Sequence, residues 1–306
     1  MLVWLVFDSS HDRGLGHISR LIAFGQLLES KGIDYCFHGD SSIPKLAIDF
    51  IQKNNLVAGC TCSGNPNLIV IDTYNKRTIE KFNKLGIARV LVFADEVTPT
   101  LGANAVVEVS PISMSKEYPS GSPVLEFRNS PLLRDEVVAY DGAAENLNAK
   151  MNNWLVTLGG VDDLVYRNFL VALQSTLQHQ ELNVTVASDS YSVGKIANTL
   201  GFEWIDHALD VSDICDAFEG AITGAGVTAW ELAYLRKPGF VIGVAANQDF
   251  QLDYLVGHGI RPGVGLADQE LLPKLRMLFE PFHSNSEVVR PIDGRERVYE
   301  FMFSLL

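Results

Sequence analysis

The strongest constraint on the fold of this chain is a double series of short apolar runs, each followed by a helical pattern. The runs have the length and continuous apolar content of strands in a covered sheet, and the segments between them carry apolar residues at helical spacing. The runs begin at residues 2, 34, 67 and 88 in the first series and at residues 154, 182, 202, 220 and 239 in the second. Such alternation predicts an α/β fold of doubly wound parallel sheets, with right-handed crossovers and helices on both faces.

The length of the chain predicts two domains. With 306 residues it exceeds the roughly 250 residues at which single cores stop growing. The pattern breaks over the polar stretch 137–153, so we predict an N-terminal domain over residues 1–140 and a C-terminal domain with a terminal helix over residues 141–306. Two such domains facing a central cleft would present the carboxyl ends of their strands to it, where open α/β sheets bind ligands.

Composition excludes several classes of protein. The formal net charge of −13 argues against a nucleic-acid partner, because phosphate backbones are held by clustered Lys and Arg. The four cysteines, Cys36, Cys60, Cys62 and Cys215, form no repeated CxxC pair, which favours reduced structural thiols over a metal site. No leader pattern and no long apolar window is visible, so we expect a cytoplasmic protein with no membrane span. We take a monomer as the starting expectation.

The loop DRGLGHISR, residues 12–20, lies between the first strand and a helix. Gly14 and Gly16 fit the start of the dinucleotide fingerprint, but Ser19 stands where its third glycine belongs, so we expect no nicotinamide cofactor and no other cofactor. His17 stands at the positive end of the helix dipole, which disfavours a charged imidazole and suits a general base. Capping or packing of the helix start explains His17 equally well. Asp8, at the end of the strand, could orient His17 or a water, or cap the helix.

A second glycine turn, TGAG at residues 223–226, precedes a helix that begins near Val227. Backbone N–H groups at such a turn can hold a phosphate without lysine. Glu231 follows one turn into the helix, within reach of a sugar attached to that phosphate. The next strand ends before Asn247 and Gln248, whose amides return to the same edge of the sheet. This arrangement favours a nucleotide diphosphate.

Four motifs in this order resemble the family of UDP-2,4-diacetamido-2,4,6-trideoxy-β-L-altropyranose hydrolases of pseudaminic acid biosynthesis (PseG), relatives of the MurG-like glycosyltransferases. They are GLGHISR in the loop 12–20, SPLLRDE at 130–136, LGGVDD at 158–163, and GAGVTAWE with ANQ within 223–248. The resemblance implies the GT-B fold, with two Rossmann-like domains and a UDP-sugar as substrate. It also implies a metal-independent hydrolase in which His17 deprotonates the water that attacks the anomeric carbon and expels UDP.

The predicted site joins the residue patterns to this resemblance. We predict His17 and Asp8 as catalytic residues, and as substrate-binding residues Arg13, Gly14, Gly16, Tyr74, Gly159, Gly160, Gly224, Ala225, Gly226, Val227, Thr228, Glu231, Asn247 and Gln248. No residue is predicted to bind a metal. For Arg20 we favour an ion pair with a neighbouring acid over substrate contact, and for Arg134 both a domain-locking and a substrate role stay open.

Several residues of the first domain depart from the pattern of the family. Val6 stands where the family has an arginine, and Thr73 replaces the histidine of its Asp-His-Tyr motif. Asp95-Glu96 replaces a pair of aspartates, and residues 108–110 replace asparagines. Because the first domain would hold the sugar, UDP binding is better supported than the identity of the sugar.

Three functions compete on this sequence. A hydrolase needs water beside His17, a glycosyltransferase needs an acceptor groove, and a non-catalytic nucleotide-sugar-binding protein would tolerate loss of His17. The presence of both His17 and the Glu231 segment argues against the third. We expect a hydrolase that acts on a UDP-linked N-acetylated 6-deoxy sugar.

Overall fold

A computed structural model gives the fold, and the description covers most of the chain. The described residues are 1–7, 16–39, 45–54, 56, 64–73, 75–94, 102–111, 118, 122–140, 152–159, 161–177, 182–206, 211–244, 248–265, 271–277 and 289–306.

Strands and helices alternate along the chain in two series. The first contains β1 (Leu2–Phe7), α1 (Gly16–Ser30), β2 (Asp34–Gly39), α2 (Lys45–Lys53), β3 (Leu68–Asp72), α3 (Lys76–Leu85), β4 (Arg89–Ala94), β5 (Ala105–Glu108), β6 (Val124–Leu125) and α4 (Asp135–Ala139). The second contains β7 (Asn153–Thr157), α5 (Asp163–Leu177), β8 (Asn183–Ala187), α6 (Tyr191–Thr199), β9 (Glu203–Ile205), α7 (Val211–Ala217), β10 (Gly220–Gly224), α8 (Val227–Tyr234), β11 (Gly239–Gly243), α9 (Asp249–Gly257), β12 (Gly263–Gly265), α10 (Leu271–Met277) and α11 (Arg295–Leu305).

The chain divides into two compact units. Unit 1 comprises residues 1–138 and 292–306, and unit 2 comprises residues 139–291. Each contains one six-stranded sheet, in the order β2-β1-β3-β4-β5-β6 in unit 1 and β12-β11-β10-β7-β8-β9 in unit 2. All paired strands are parallel, as the alternation predicts.

The central strands are buried on both faces, which is why their sequences are continuous apolar runs rather than alternating ones. Every residue of β3 and β10 is buried. In unit 1, one face of the sheet packs with α1 around Leu21 and Phe24, and the other packs with α3 around Ile79 and Phe82. Local signals fix the helix ends: Asn75 caps the start of α3 by accepting a hydrogen bond from the Arg77 amide at 3.0 Å.

The last helix corrects one detail of the predicted domains. The sequence analysis assigns it to the C-terminal domain, but α11 belongs to unit 1, where Val298, Met302 and Leu305 join the apolar core around α1. An apolar helix stripe indicates that a helix covers a core, without indicating which core.

None of the helices in the described part of the chain has both the length and the hydropathy needed to cross a bilayer.

Candidate functional site

In unit 1, three charged or titratable side chains meet at the carboxyl edge of the sheet. Asp72 is the last residue of β3, and His17 and Arg20 lie in the first two turns of α1. Their exposed fractions are 1% for Asp72, 4% for His17 and 6% for Arg20, so all three are removed from water. Buried charged groups persist in proteins when they are paired, and these are.

Hydrogen bonds join the three side chains into one cluster. Nδ1 of His17 contacts Oδ1 of Asp72. Arg20 binds the same carboxylate with two donors, Nε to Oδ2 at 2.8 Å and Nη2 to Oδ1 at 2.9 Å. This two-point geometry is the strongest form of arginine–carboxylate pairing. The predicted ion pair of Arg20 with a neighbouring acid is confirmed.

The cluster also fixes the tautomer of a neutral His17. Nη2 of Arg20 lies 2.8 Å from Nδ1 of His17 and carries two hydrogens, one of which it donates to Asp72, so the contact with Asp72, and not Arg20, decides the tautomer. An unprotonated Nδ1 would direct its lone pair at the carboxylate oxygen of Asp72. We therefore assign the proton to Nδ1, from which it is donated to Asp72, and Nε2 becomes the ring atom that can accept a proton.

The charge of Asp72 is held by its neighbours. Burial by itself would raise the pKa of Asp72, but the charge of Arg20 and, after it, His17 lower that pKa below its usual value. Asp72 is therefore ionised at neutral pH. An ionised carboxylate on Nδ1 orients an imidazole and stabilises the imidazolium that forms when the ring takes a proton.

Asp72 is the residue whose part in the site the sequence analysis does not foresee. The sequence analysis treats Asp72 only as part of the Asp72-Thr73-Tyr74 motif and expects Asp8 to orient His17. The available signal was the place of Asp72 at the end of a buried parallel strand, beside the strand that leads to the His17 loop. Asp8, Arg13, Gly14 and Tyr74 lie outside the described residues, as do Asp95 and Glu96.

Glu108, one of the departures from the family pattern, has a structural role. Its carboxylate accepts hydrogen bonds at 3.2 Å from the Tyr118 hydroxyl and at 3.2 Å from the Phe127 amide. These contacts tie the segment after β5 to the end of that strand. Arg134 is also buried in unit 1, with Nη1 2.8 Å from a carboxylate oxygen of Glu136 and its guanidinium over the ring of Phe50.

In unit 2, the predicted phosphate turn lies between β10 and α8. Gly224 ends the strand, and α8 begins at Val227 after Gly226, with no side-chain cap among the described residues. The amide of Gly226 donates to the Gly224 carbonyl at 2.8 Å, which closes the turn. As the first residues of a helix, Val227 and Thr228 carry N–H groups that no carbonyl of α8 can accept.

Gln248 holds this turn in place. Its Oε1 accepts hydrogen bonds from the Ala225 amide at 3.1 Å and the Val244 amide at 3.4 Å. The Ala225 amide also donates to the Ile242 carbonyl at 3.2 Å. Gln248 thus lies at the predicted site, with its carbonyl oxygen engaged by the backbone. Asn247, its predicted companion, lies outside the described residues.

Close backbone packing explains the glycine at 224. A Cβ built on Gly224 would lie 2.8 Å from the carbonyl oxygen of Leu158, in the turn that follows β7. Gly159 in that second turn has φ +76°, a left-handed conformation that favours glycine. The two glycine turns therefore touch, whereas Gly160 lies outside the described residues.

The remaining predicted residues of unit 2 lie around the same turns. Glu231 is on the first turns of α8 and is only 2% exposed. Asp162 begins α5 by accepting a hydrogen bond from the Leu164 amide at 2.8 Å. Within the described ranges, no group of three or more His, Cys, Asp or Glu side chains is placed to hold a metal ion.

No protein-family model and no curated protein matches this chain. Solved structures do. MnaA from S. aureus, in a co-structure with UDP, is 12% identical, with 100% of this chain and 97% of that chain covered and a TM-score of 0.68. MurG from Acinetobacter baumannii is also 12% identical, with 99% of each chain covered and a TM-score of 0.60.

A third solved structure is a putative UDP-N-acetylglucosamine 2-epimerase from Listeria monocytogenes. It is 9% identical, covers 99% of this chain and 94% of that chain, and gives a TM-score of 0.70. The chain has the GT-B fold. The predicted fold class is confirmed, with one Rossmann-like parallel sheet in each unit. At this level of identity the likeness shows the fold alone, and membership of the PseG hydrolase family stays a prediction.

Proposed function

We propose that this protein hydrolyses a UDP-linked N-acetylated 6-deoxy sugar of the pseudaminic-acid precursor type at its anomeric carbon. The observation that carries the proposal is the contact between Nδ1 of His17 and the buried Asp72 carboxylate. A histidine that only caps a helix needs no ionised partner of this kind. For a histidine that must accept a proton on Nε2, an ionised carboxylate on Nδ1 fixes the tautomer and balances the positive charge of the imidazolium.

The reaction follows from this cluster. Nε2 of His17 takes a proton from water as the water oxygen bonds to the anomeric carbon, and the bond from that carbon to the UDP oxygen breaks. UDP leaves with the electron pair, and the free sugar has inverted configuration. Asp72, kept ionised by Arg20, balances the positive charge that develops on His17. The imidazolium then returns its proton to solvent.

We assign the nucleotide to unit 2. The glycine turn at residues 224–226 and the first N–H groups of α8 suit the diphosphate, since helix N-termini bind anions. Glu231 is the candidate partner of the ribose hydroxyls, and Gln248 holds the turn. UDP in the S. aureus MnaA structure and the UDP-sugar named for the Listeria protein accord with this assignment.

The test measures release of UDP from a panel of UDP-N-acetylated 6-deoxy sugars without an acceptor. We expect His17→Ala to lower the rate by about 10²- to 10⁴-fold, the usual contribution of a general base. His258→Ala, an exposed histidine of unit 2, is the matched control and should leave the rate unchanged. Carbon-13 spectra of the sugar should show free product of inverted anomeric configuration. Equal rates for His17→Ala and the unmodified protein would sink the proposal.

A glycosyltransferase is the second candidate, because MurG has the same fold and because Glu108 is used structurally where the hydrolase family has asparagines. The same assay separates the two. Tight UDP binding without release from any sugar of the panel would indicate a missing acceptor. A changed sugar that is still attached to UDP would instead indicate an epimerase.

A further inference from the structure

Tyr166 fills the point where two strands of the unit 2 sheet separate. It lies in the first turns of α5 and is 1% exposed. The strands β7 and β8 pair as far as Val156 and Val186, and the Tyr166 hydroxyl lies just beyond this last pair. There it accepts a hydrogen bond from the Leu158 amide at 3.3 Å.

The same hydroxyl reaches two carbonyl groups, those of Val156 at 3.3 Å and Ala187 at 3.2 Å. Its single proton is donated to one or the other. Burial raises the pKa of Tyr166 above the usual value for a phenol, so the hydroxyl keeps this proton over the physiological range. Three backbone groups at the ends of β7 and β8 are therefore joined by one side chain.

The backbone that Tyr166 holds is the backbone that touches the predicted phosphate turn. Leu158 donates its N–H to Tyr166, and its carbonyl oxygen would lie 2.8 Å from a Cβ built on Gly224. The turn that follows Leu158 is held by its own hydrogen bond. Gly159 has φ +76°, and its carbonyl accepts a hydrogen bond from the Val161 amide at 2.9 Å. A shift of residue 158 is therefore transmitted directly to the turn at 224.

We propose that Tyr166 is a positioning residue for the diphosphate of UDP, acting through Leu158 on the turn at Gly224. The inference rests on the proposed function, because that function assigns the turn to UDP. Tyr166 does not touch the nucleotide in this account. It fixes the position of the Leu158 carbonyl, and the proposed phosphate-binding turn at Gly224 packs against that carbonyl.

The first experiment is calorimetric titration of UDP into the full chain and its Tyr166→Phe variant. Loss of the hydroxyl leaves the Leu158 amide without its acceptor, and we expect UDP to bind about five- to tenfold more weakly. Thr185→Val is the matched control: it removes another buried hydroxyl of the same sheet, one that donates to Glu203 rather than to the turn. Its UDP affinity should be unchanged.

Kinetics and a double-mutant cycle separate positioning from a general loss of stability. In Tyr166→Phe, KM should rise with kcat unchanged, because the UDP moiety is held less tightly to the same extent in the ground state and in the transition state. Gly224→Ala should also weaken UDP binding, and the two changes should be non-additive, since both act on one backbone contact. Additive effects, or equal UDP binding by Tyr166→Phe and the unmodified protein, would overturn the inference and leave the proposed function standing.

Amide exchange of the unmodified protein tests the same connection without a substitution. UDP should slow exchange of the amide of Leu158, the residue that packs against the turn at Gly224. Exchange of the Thr185 amide in β8 should not change. No effect at Leu158 with UDP bound would also count against the inference. If the unmodified protein does not bind UDP at all, the proposed function fails, and the inference fails with it.

Discussion

The Asp72 carboxylate contacts Nδ1 of His17, a residue 55 positions earlier in the chain, and both side chains are almost completely buried. Arg20 binds both oxygens of the same carboxylate. On this contact rests the proposed role of His17 as a general base, in which Nε2 would take the proton.

The first prediction concerns Asp72. In Asp72→Asn the side chain keeps its shape but loses its charge, so it neither fixes the His17 tautomer nor balances an imidazolium. We expect kcat for UDP release to fall by about 10²- to 10⁴-fold, as when the carboxylate of a catalytic triad is replaced. Asp34→Asn, which changes an exposed carboxylate of the same unit, is the control. Unchanged kcat in Asp72→Asn would show that Asp72 has only a structural role.

The second prediction concerns the stability of the same cluster. Arg20→Met removes the guanidinium and leaves the Asp72 carboxylate buried without its main partner. Breaking one side of a buried ion pair costs about 3–5 kcal/mol, so the free energy of unfolding of unit 1 should fall by about that amount. Arg77→Met, at an exposed arginine in α3, should change it by less than about 0.5 kcal/mol. Urea unfolding at neutral pH measures both, and similar values for the two variants would contradict the prediction.

The third prediction is a pH dependence. The pKa of Asp72 is lowered in the folded state by Arg20 and His17, against the effect of burial. On acidification the unfolded state therefore takes up a proton first, and the stability that Asp72 contributes is lost as the pH falls from about 4, near its unfolded pKa, toward the lower folded pKa. The difference in unfolding free energy between the unmodified protein and Asp72→Asn should shrink as the pH falls below about 4. A difference that stays constant or grows below about pH 4 would contradict the assignment.

The sequence predicts the sheets because burial of parallel strands leaves continuous apolar runs that are easily recognised. It does not predict β12, whose residues 263–265 are Gly-Val-Gly and carry almost no strand signal. It identifies His17 from a local pattern, but its pairing with Asp72 is a long-range contact that no local pattern contains. Gln248 shows a further limit: the sequence places it near the glycine turn, and only the structure shows that its carbonyl oxygen serves the turn itself.

The fourth prediction concerns the glycine turn of unit 2. In Gly224→Ala the added Cβ would lie 2.8 Å from the Leu158 carbonyl oxygen, a contact that forces one of the two turns to move. We expect UDP affinity to fall by at least about tenfold and the unfolding free energy by about 1–3 kcal/mol, as for other overpacked sites. Gly257→Ala in α9, where a Cβ meets no atom within 4 Å, is the control and should bind UDP normally. Normal UDP binding by Gly224→Ala would show that the nucleotide does not bind at this turn.

The last prediction tests the place of the terminal helix. Met302 is fully buried in the core of unit 1, so Met302→Ala should cost about 2–5 kcal/mol, the usual range for such a cavity. Glu300→Ala, at an exposed position of the same helix, should have little effect. Because α11 covers the core of unit 1, the loss should appear as faster amide exchange in the strand Leu68–Asp72, while the strand Asn153–Thr157 of unit 2 keeps its protection. Faster exchange in the unit 2 strand alone would show that this helix packs with the C-terminal domain, as the sequence predicts.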